Sequence, residues 1–538
     1  MKNAAGSRNI AAVCIFLLFF CTELGLGIYL SHYRDFVYYD AVSRVANAFY
    51  VLHSRDPHLG AIGFVWNPLP SLLEIIPLLF WRWIPPLAGA GLAANLLTAL
   101  FAAGTAVMIF NYCRASIGSP FIATAITFAY ACNPFIFLYG ANGMSEAMFC
   151  FFIVWMIIQF TKWMNRDAPL APIIMGFALA LAFWVRYESI ALGMALAFAI
   201  TAVFLDRRRD SAYILNRARR KNDITSKLEA ILTVVLSPAV FSGIAWLLLN
   251  YFIMGDALFF FRSGYSNIAF SGNLTDQFRE MISTPAGVLW LVLRKSLFFS
   301  LPLLAIILVR FIIGYWKRWD TLALVLLAAS IPAMQYAMLL KGSSFGWLRF
   351  FVYPFVIAVA WMPYELSRLR QSMEVKRVAA VFCLSILLSG FVVLDMKNQE
   401  LSPDEYETFH IDESGTHKDL VMAKAVSRYI NDIIAAEPVH DRPLILTDSY
   451  SAYSVLLNTR YPERWVITND RDFEPALLAP REHGVEYILV SKKIGSVLQI
   501  IHETYPDLFD KGAPWATLVR DFDGEWKLFR VTASAPSR

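Results

Sequence analysis

The sequence predicts a mainly α, polytopic membrane protein with about eleven transmembrane helices, interfacial helices in the first outer loop, and a C-terminal soluble α/β domain. Three observations carry this. Hydrophobic residues make up 57% of the 538, against roughly 45–50% in an ordinary soluble domain, so apolar surface has to be hidden in lipid. Apolar runs of about 20 residues, the length that crosses a bilayer, succeed one another as far as residue 395. From residue 396 the composition becomes that of a soluble chain, which sets two domains, 1–395 and 396–538.

Taken in order, "IAAVCIFLLFFCTELGLGIYL" follows Lys2 and Arg8, is too long for a signal-peptide core and ends on no small-residue cleavage pattern, so it reads as a retained first helix. Spans then fall near 88–111, 119–139, 143–162, 170–187, 189–205, 229–253, 296–314, 320–340, 348–364 and 377–395. The stretch "FVWNPLPSLLEIIPLLFWRWIPP", residues 64–86, is a twelfth contender, and the loop charges decide against it. With eleven spans and a cytoplasmic N-terminus, the basic connections, including "DRRRDSAYILNRARRKNDITSK" and "SRLRQSMEVKR", lie inside, as the positive-inside rule requires. The contender is therefore read as a short, proline-bounded surface or re-entrant helix with Glu74 and Arg82 facing headgroups. Before it, "DAVSRVANAFYVLH" places Val42, Val45, Ala46, Phe49 and His53 at helical spacing, a helix lying on the bilayer with Ser43, Arg44 and Asn47 toward water.

By the same parity the C-terminal domain is extracytoplasmic, and the protein is placed in the plasma (inner) membrane. Its apolar runs "PLILTD", "RWVIT" and "VEYILVS" alternate with helical stretches, and "WATLVRDFDGEWKLFRV" reads as a hairpin on an Asp-Gly turn. A net charge of +5 is small for this length and gathers at helix ends, so no nucleic-acid partner is implied. All six cysteines lie in apolar segments, which leaves no disulfide framework or CxxC metal site to argue from.

Ionisable side chains at membrane depth are costly and need a partner, water or a job. On the outer face these are Arg34, Asp35, Asp40, Arg44, Asp56 and His58 in the first loop, Glu146 heading the fourth span, Arg186 and Glu188 between the fifth and sixth, Asp256, Arg294 and Lys295, and Lys341 and Arg349 around the tenth. Each has a plainer reading. Asp40 stands where a helix N-cap would be, Glu146 can cap its span, Arg186 and Glu188 can pair with each other, His58 follows Asp56-Pro57 as a turn residue, and Lys341 can snorkel. Arg349, inside a span, is the least suited to a mere anchor. Glycosyl transfer from a lipid phosphate needs this assortment at the membrane surface: a carboxylate to take the acceptor's proton and cations to stabilise the departing phosphate.

The layout of residues 10–395 resembles the GT-C fold glycosyltransferases, especially the branch of protein O-mannosyltransferases and the lipid A aminoarabinose transferase. Asp40 in "YYDAVSRVANAFY" resembles that family's first acid, "WNPLPSLLEII" its "PPL" segment, and Glu146 in "NGMSEAMF" its second acid. "FWVRYESIAL" and "WLRFFVYPFV" resemble its basic residue after the fifth helix and its late Arg-aromatic-Pro motif. Ala41 stands where the family often has a second acid, and Asn67 replaces the first proline. The resemblance implies a sugar moved from a polyprenyl-phosphate donor to a glycan, protein or lipid acceptor, with Asp40 as general base and Glu146 orienting the acceptor or holding a water or a metal. It further implies donor-phosphate binding by Arg186, Arg349, Lys341 and Arg44, and substrate contacts from Asp56, His58 and Glu188. No cofactor is assigned; a divalent cation on the two carboxylates stays open, although their separation in sequence is no metal signature. A transporter or lipid flippase is the rival, and would show charges buried within spans, broken helices and inverted repeats.

Overall fold

Helices dominate the computed structural model of the chain, which describes residues 2–166, 168–211, 217–266, 269, 274–369, 371–438, 443–493, 495 and 498–535. In chain order the first elements are α1 (Lys2–Ile28), α2 (Tyr39–His53), α3 (Leu69–Leu78), α4 (Leu92–Ile117), α5 (Pro120–Ala131), α6 (Pro134–Ala141), α7 (Glu146–Arg166), α8 (Ala171–Val185) and α9 (Ser189–Ser211). They continue with α10 (Arg217–Met254), α11 (Pro285–Ser296), α12 (Leu301–Ile313), α13 (Trp319–Leu340), α14 (Tyr353–Ser367) and α15 (Ser372–Ser389). The C-terminal domain adds α16 (Gly415–Ala436), β1 (Leu444–Thr447), α17 (Ser449–Leu457), β2 (Trp465–Ile467), β3 (Val485–Ser491), β4 (Ala516–Phe522) and β5 (Trp526–Val531).

Among the described residues seven helices are long and apolar enough to cross a membrane, or nine if two bent pairs each count as one span. The chain is thus a mainly α, multi-pass protein, but the count of eleven is not reached. Of the eleven predicted segments, α8 has only 15 residues, and the apolar part of α9 stops at Phe204, just ahead of Asp206. Residues 212–216 of the basic tract that sets the predicted orientation lie outside the described residues.

Both bends have a local cause. α5 and α6 meet at 69° because Pro134 has no N–H to continue the helix, while the Asn133 side chain accepts from the amides of Phe135 and Ile136 and starts a new one. α11 and the Phe298–Ile313 segment meet at 60° across Leu297, with Pro302 in the first turn of α12.

Packing divides the chain into two units: Met1–Leu26 with Thr98–Leu249 and Leu274–Phe409, and Gly27–Leu97 with Asn250–Asn273 and His410–Arg538. The first unit holds most of the apolar bundle. At one end of it the buried Arg310 bridges Glu365 of α14 and, at 2.8 Å, Asp320 of α13, which also takes Arg368 at 2.6 Å. A buried charge of this kind is tolerated because each partner is itself charged and hydrogen-bonded.

The second unit departs from the composition boundary at residue 396, since it joins the loop that follows the first helix to the C-terminal domain. The domain's sheet has the order β2-β1-β3-β5-β4, with β1 parallel to β2 and β3 and the β4–β5 hairpin antiparallel. That hairpin turns on Asp523 and Gly524, with φ of 53° and 72°, the paired positive values an Asp-Gly turn provides.

The reading of α2 as a helix lying on lipid is corrected. Val42, Val45, Ala46 and Phe49 are buried in one core with Leu420, Val426 and Ile430 of α16 and Ala452, Val455 and Leu456 of α17. Each large apolar side chain buried there stabilises the unit by roughly 1.5–3 kcal/mol. Arg44, expected toward water, is buried too. Helical periodicity identifies an apolar face without naming what covers it, and here protein covers it.

α3 is a short helix, as expected, and Leu72, Ile76, Leu79, Phe80, Trp83 and Ile84 are exposed along it and the following turn. Arg82 is exposed among them. Glu74 does the opposite of facing headgroups: it is buried, and its Oε2 has no hydrogen-bond partner among the described residues.

Candidate functional site

Four of the residues singled out from the sequence meet in the first unit. Glu146 opens α7, where a carboxylate is favoured by the helix N-terminus, and the turn before it is set by Gly143 at φ 80° and by Asn142, whose side chain accepts from the Met144 amide at 3.0 Å. Arg186 ends α8 in extended backbone. Its guanidinium donates to Glu146 Oε1 at 2.5 Å, Ser145 Oγ at 3.1 Å and Glu188 Oε1 at 2.7 Å. Arg349 lies in the 3-10 turn Leu348–Phe351 ahead of α14, with Nε 3.5 Å from Glu146 Oε1 and its other end on Asp404. Both guanidiniums stack on Phe350, at 5.5 and 5.4 Å, and Arg349 also on Trp347.

These groups are nearly dry. The Glu146 side chain is 1% exposed, Arg349 7%, and Asp404, the outermost member, 28%. Burial pushes the Glu188 carboxyl up, but the Arg186 guanidinium beside it more than offsets this and holds it below its ordinary value. Glu146 Oε2 and Arg186 Nε have no hydrogen-bond partner among the described residues. Glu146 also borders a small cavity of about 20 Å³ with Tyr130, Tyr139 and Cys150, room for about one water.

A second layer holds the Arg349 turn. Buried Lys295 donates to the Gly346 carbonyl at 2.6 Å, and Ser344, whose hydroxyl donates to Gln335 Oε1 at 2.7 Å, accepts from the Gly346 amide. Gly346 has a φ of 59°, which suits glycine. In the helix that carries Asp404, Glu405 accepts from the Ser402 hydroxyl at 2.6 Å and from the Tyr139 hydroxyl at 2.5 Å. Sequence reasoning missed Asp404 and Glu405; the Ser-x-x-Glu spacing marks a helix start but says nothing of the arginine 55 residues away. Lys341 is not part of the cluster: it is exposed at the C-cap of α13.

The remaining candidates belong to the second unit. Asp40 is half-buried in the first turn of α2, and Tyr38 rather than Asp40 stands at the N-cap, so the plain capping role is not the one it fills. Tyr450 of α17 is pushed up to about 12 by burial and by the carboxylates of Asp40 and Asp448, and the Tyr265 ring lies 5.4 Å from it. Arg44 stacks on Trp66 at 4.9 Å and donates to the Asn67 carbonyl. Asp56 accepts from the Arg471 amide at 3.1 Å, while His58 Nδ1 lies 2.8 Å from the Asp56 carbonyl oxygen, the local turn contact expected of it.

No group of three or more His, Cys, Asp or Glu side chains gathers as a metal site among the described residues. Compared with known proteins, the chain matches no family model and no curated sequence.

Proposed function

We propose that the protein is an integral-membrane glycosyltransferase that moves a sugar from a polyprenyl-phosphate donor to an acceptor on the extracytoplasmic side, with the N-terminus cytoplasmic. The observation that supports this reading is the dry pairing of Arg186 and Arg349 with Glu146 at the ends of apolar helices. Two stacked guanidiniums held against aromatic rings are pre-oriented for the oxygens of a phosphate. In the resting state carboxylates neutralise them. The donor phosphate would displace Asp404, the most exposed of those partners, from Arg349.

In the reaction the acceptor oxygen attacks the anomeric carbon as the bond to the phosphate oxygen breaks, and the phosphate leaves with the electron pair. Asp40 takes the acceptor's proton, and the single displacement at the face opposite the phosphate inverts the anomeric centre. Charge grows on the phosphate as the bond breaks, so Arg186 and Arg349 bind the transition state more tightly than the donor. Glu146 orients the acceptor or holds a water.

The test is binding and turnover of a panel of short-chain polyprenyl-phosphate sugars by detergent-purified protein. Arg349→Ala is expected to abolish saturable donor binding, and Asp40→Asn to abolish turnover with binding intact. Near-normal turnover in Asp40→Asn would remove the base assignment, and no binding of any donor by folded protein would remove the function.

A transporter is the second reading, favoured by the two bent helix pairs and by Glu23, buried within the first span with Oε2 unpartnered among the described residues. Glu23→Gln separates the two, since it would stop substrate movement across a vesicle membrane but leave sugar transfer in place.

A further inference from the structure

The segment Arg34–Asp40 leads from the first helix into α2, and residues from the far end of the chain hold it. Arg34 donates to Asp412 at 2.8 Å, and His417 Nδ1 lies 2.9 Å from the Arg34 carbonyl oxygen. Lys424 Nζ donates to Asp35 at 2.5 Å, and the Tyr39 hydroxyl donates to Asp419 at 2.6 Å. Three of these four partners lie on α16. Asp35 sits at φ 49°, in the left-handed region that side-chain-bearing residues rarely adopt, so its backbone is held there by its surroundings. The buried face of α2 packs on α17, within a core that α16 shares, and this stops the helix from rolling. Position along the segment and rotation of the helix are both constrained, and Asp40 lies where the two constraints meet.

We infer that the C-terminal domain positions the candidate base, with Asp412, Asp419 and Lys424 acting as positioning residues that fix the Arg34–Asp40 segment. This rests on the glycosyltransferase reading for its catalytic meaning. It also gives the domain a task other than capturing acceptor: it is a brace. Lys424 neutralises Asp35.

The experiment uses full-length protein in detergent and two readouts. Hydrogen exchange over residues 34–41 is expected to quicken at least tenfold in Lys424→Met and to return to the wild-type rate in Lys424→Arg, with protection of β1–β3 unchanged. Tyr39→Phe, which deletes one hydrogen bond at an exposed position, is expected to act in the same direction and less. In the same variants, kcat for transfer from a polyprenyl-phosphate sugar falls at least fivefold while the donor KM stays within twofold, and Lys424→Arg recovers it. Unchanged exchange at 34–41 in both Lys424→Met and Tyr39→Phe, or a loss of kcat matched by equal loss of protection across the sheet, would overturn the inference. If exchange responds but the wild-type protein transfers no sugar from any donor, the brace stands and the transferase reading falls.

Discussion

Glu74 and Asp404 show how much one side chain's surroundings decide. Burial pushes the Glu74 carboxyl up to about 8 from an ordinary 4.5, and Arg44 draws it only partway back. A folded value above the unfolded one means that its contribution to stability is intact below about pH 4.5 and lost as pH rises through about 8. Glu74→Gln should therefore melt higher than wild type, with a gap that widens over this window; at about 1.4 kcal/mol per unit it reaches on the order of 3 kcal/mol near pH 7. A pH series of thermal unfolding checks it, and a gap that narrows as pH rises would contradict the burial argument. At Asp404, neutralising the partner that competes for Arg349 should tighten donor binding at least threefold in Asp404→Asn, read by titration with a polyprenyl-phosphate sugar. The arginines and Glu146 were legible in the sequence because charge next to an apolar run is expensive and stands out. Asp404 was not, because it lies in a polar stretch where an acid is unremarkable, and only the fold brings it to Arg349.

For helices, the sequence reports more about existence than about surroundings. Every predicted span corresponds to an apolar helix or bent helix pair, because mean hydropathy over about 20 residues is a strong signal. Length is weaker: α8 is short for a crossing, proline punctuation made the predicted 119–139 span a bent pair, and the predicted 296–314 span is only the second arm of another whose first arm, α11, lay outside it. Near the C-terminal end of α6, Gly140 faces the buried carboxyl of Glu23, so that an added methyl group would overlap Glu23 Oε1 and crowd Ala102. Gly140→Ala is expected to cost about 1–3 kcal/mol through overpacking despite the better helix propensity of alanine. Gly140→Ala combined with Glu23→Ala should recover much of that loss, and failure to recover would show that the clash is elsewhere. α2 illustrates the other limit. Its apolar stripe was visible, but a stripe facing lipid and a stripe facing a domain encoded nearly four hundred residues later have the same periodicity.

At the scale of the molecule, composition located where a polar C-terminal segment begins without showing that the loop after the first helix folds with it. The core that joins α2, α16 and α17 predicts that removing residues 410–538 uncovers Val42, Val45 and Phe49 together. The truncated chain should aggregate on extraction where the full chain stays monodisperse in size-exclusion chromatography. Residues 410–538 expressed alone should likewise be insoluble, since α16 and α17 then present the complementary apolar face to water. A soluble, folded fragment would refute this. The same arrangement has a consequence in time. The Arg34–Asp412 pair joins positions 378 residues apart, and a ribosome adding roughly 5–20 residues each second takes about 20–80 s to cover that distance. Throughout that interval the part of the α2 face that the C-terminal domain covers stays open, with only nearby residues such as Leu78 and Trp81 packed on the rest. Newborn chains must therefore wait with a sticky surface on show, and contacts this remote in sequence close slowly even once both parts exist. Yield of this protein should depend on whatever shelters an unfinished chain, a demand set by the order in which its parts are made.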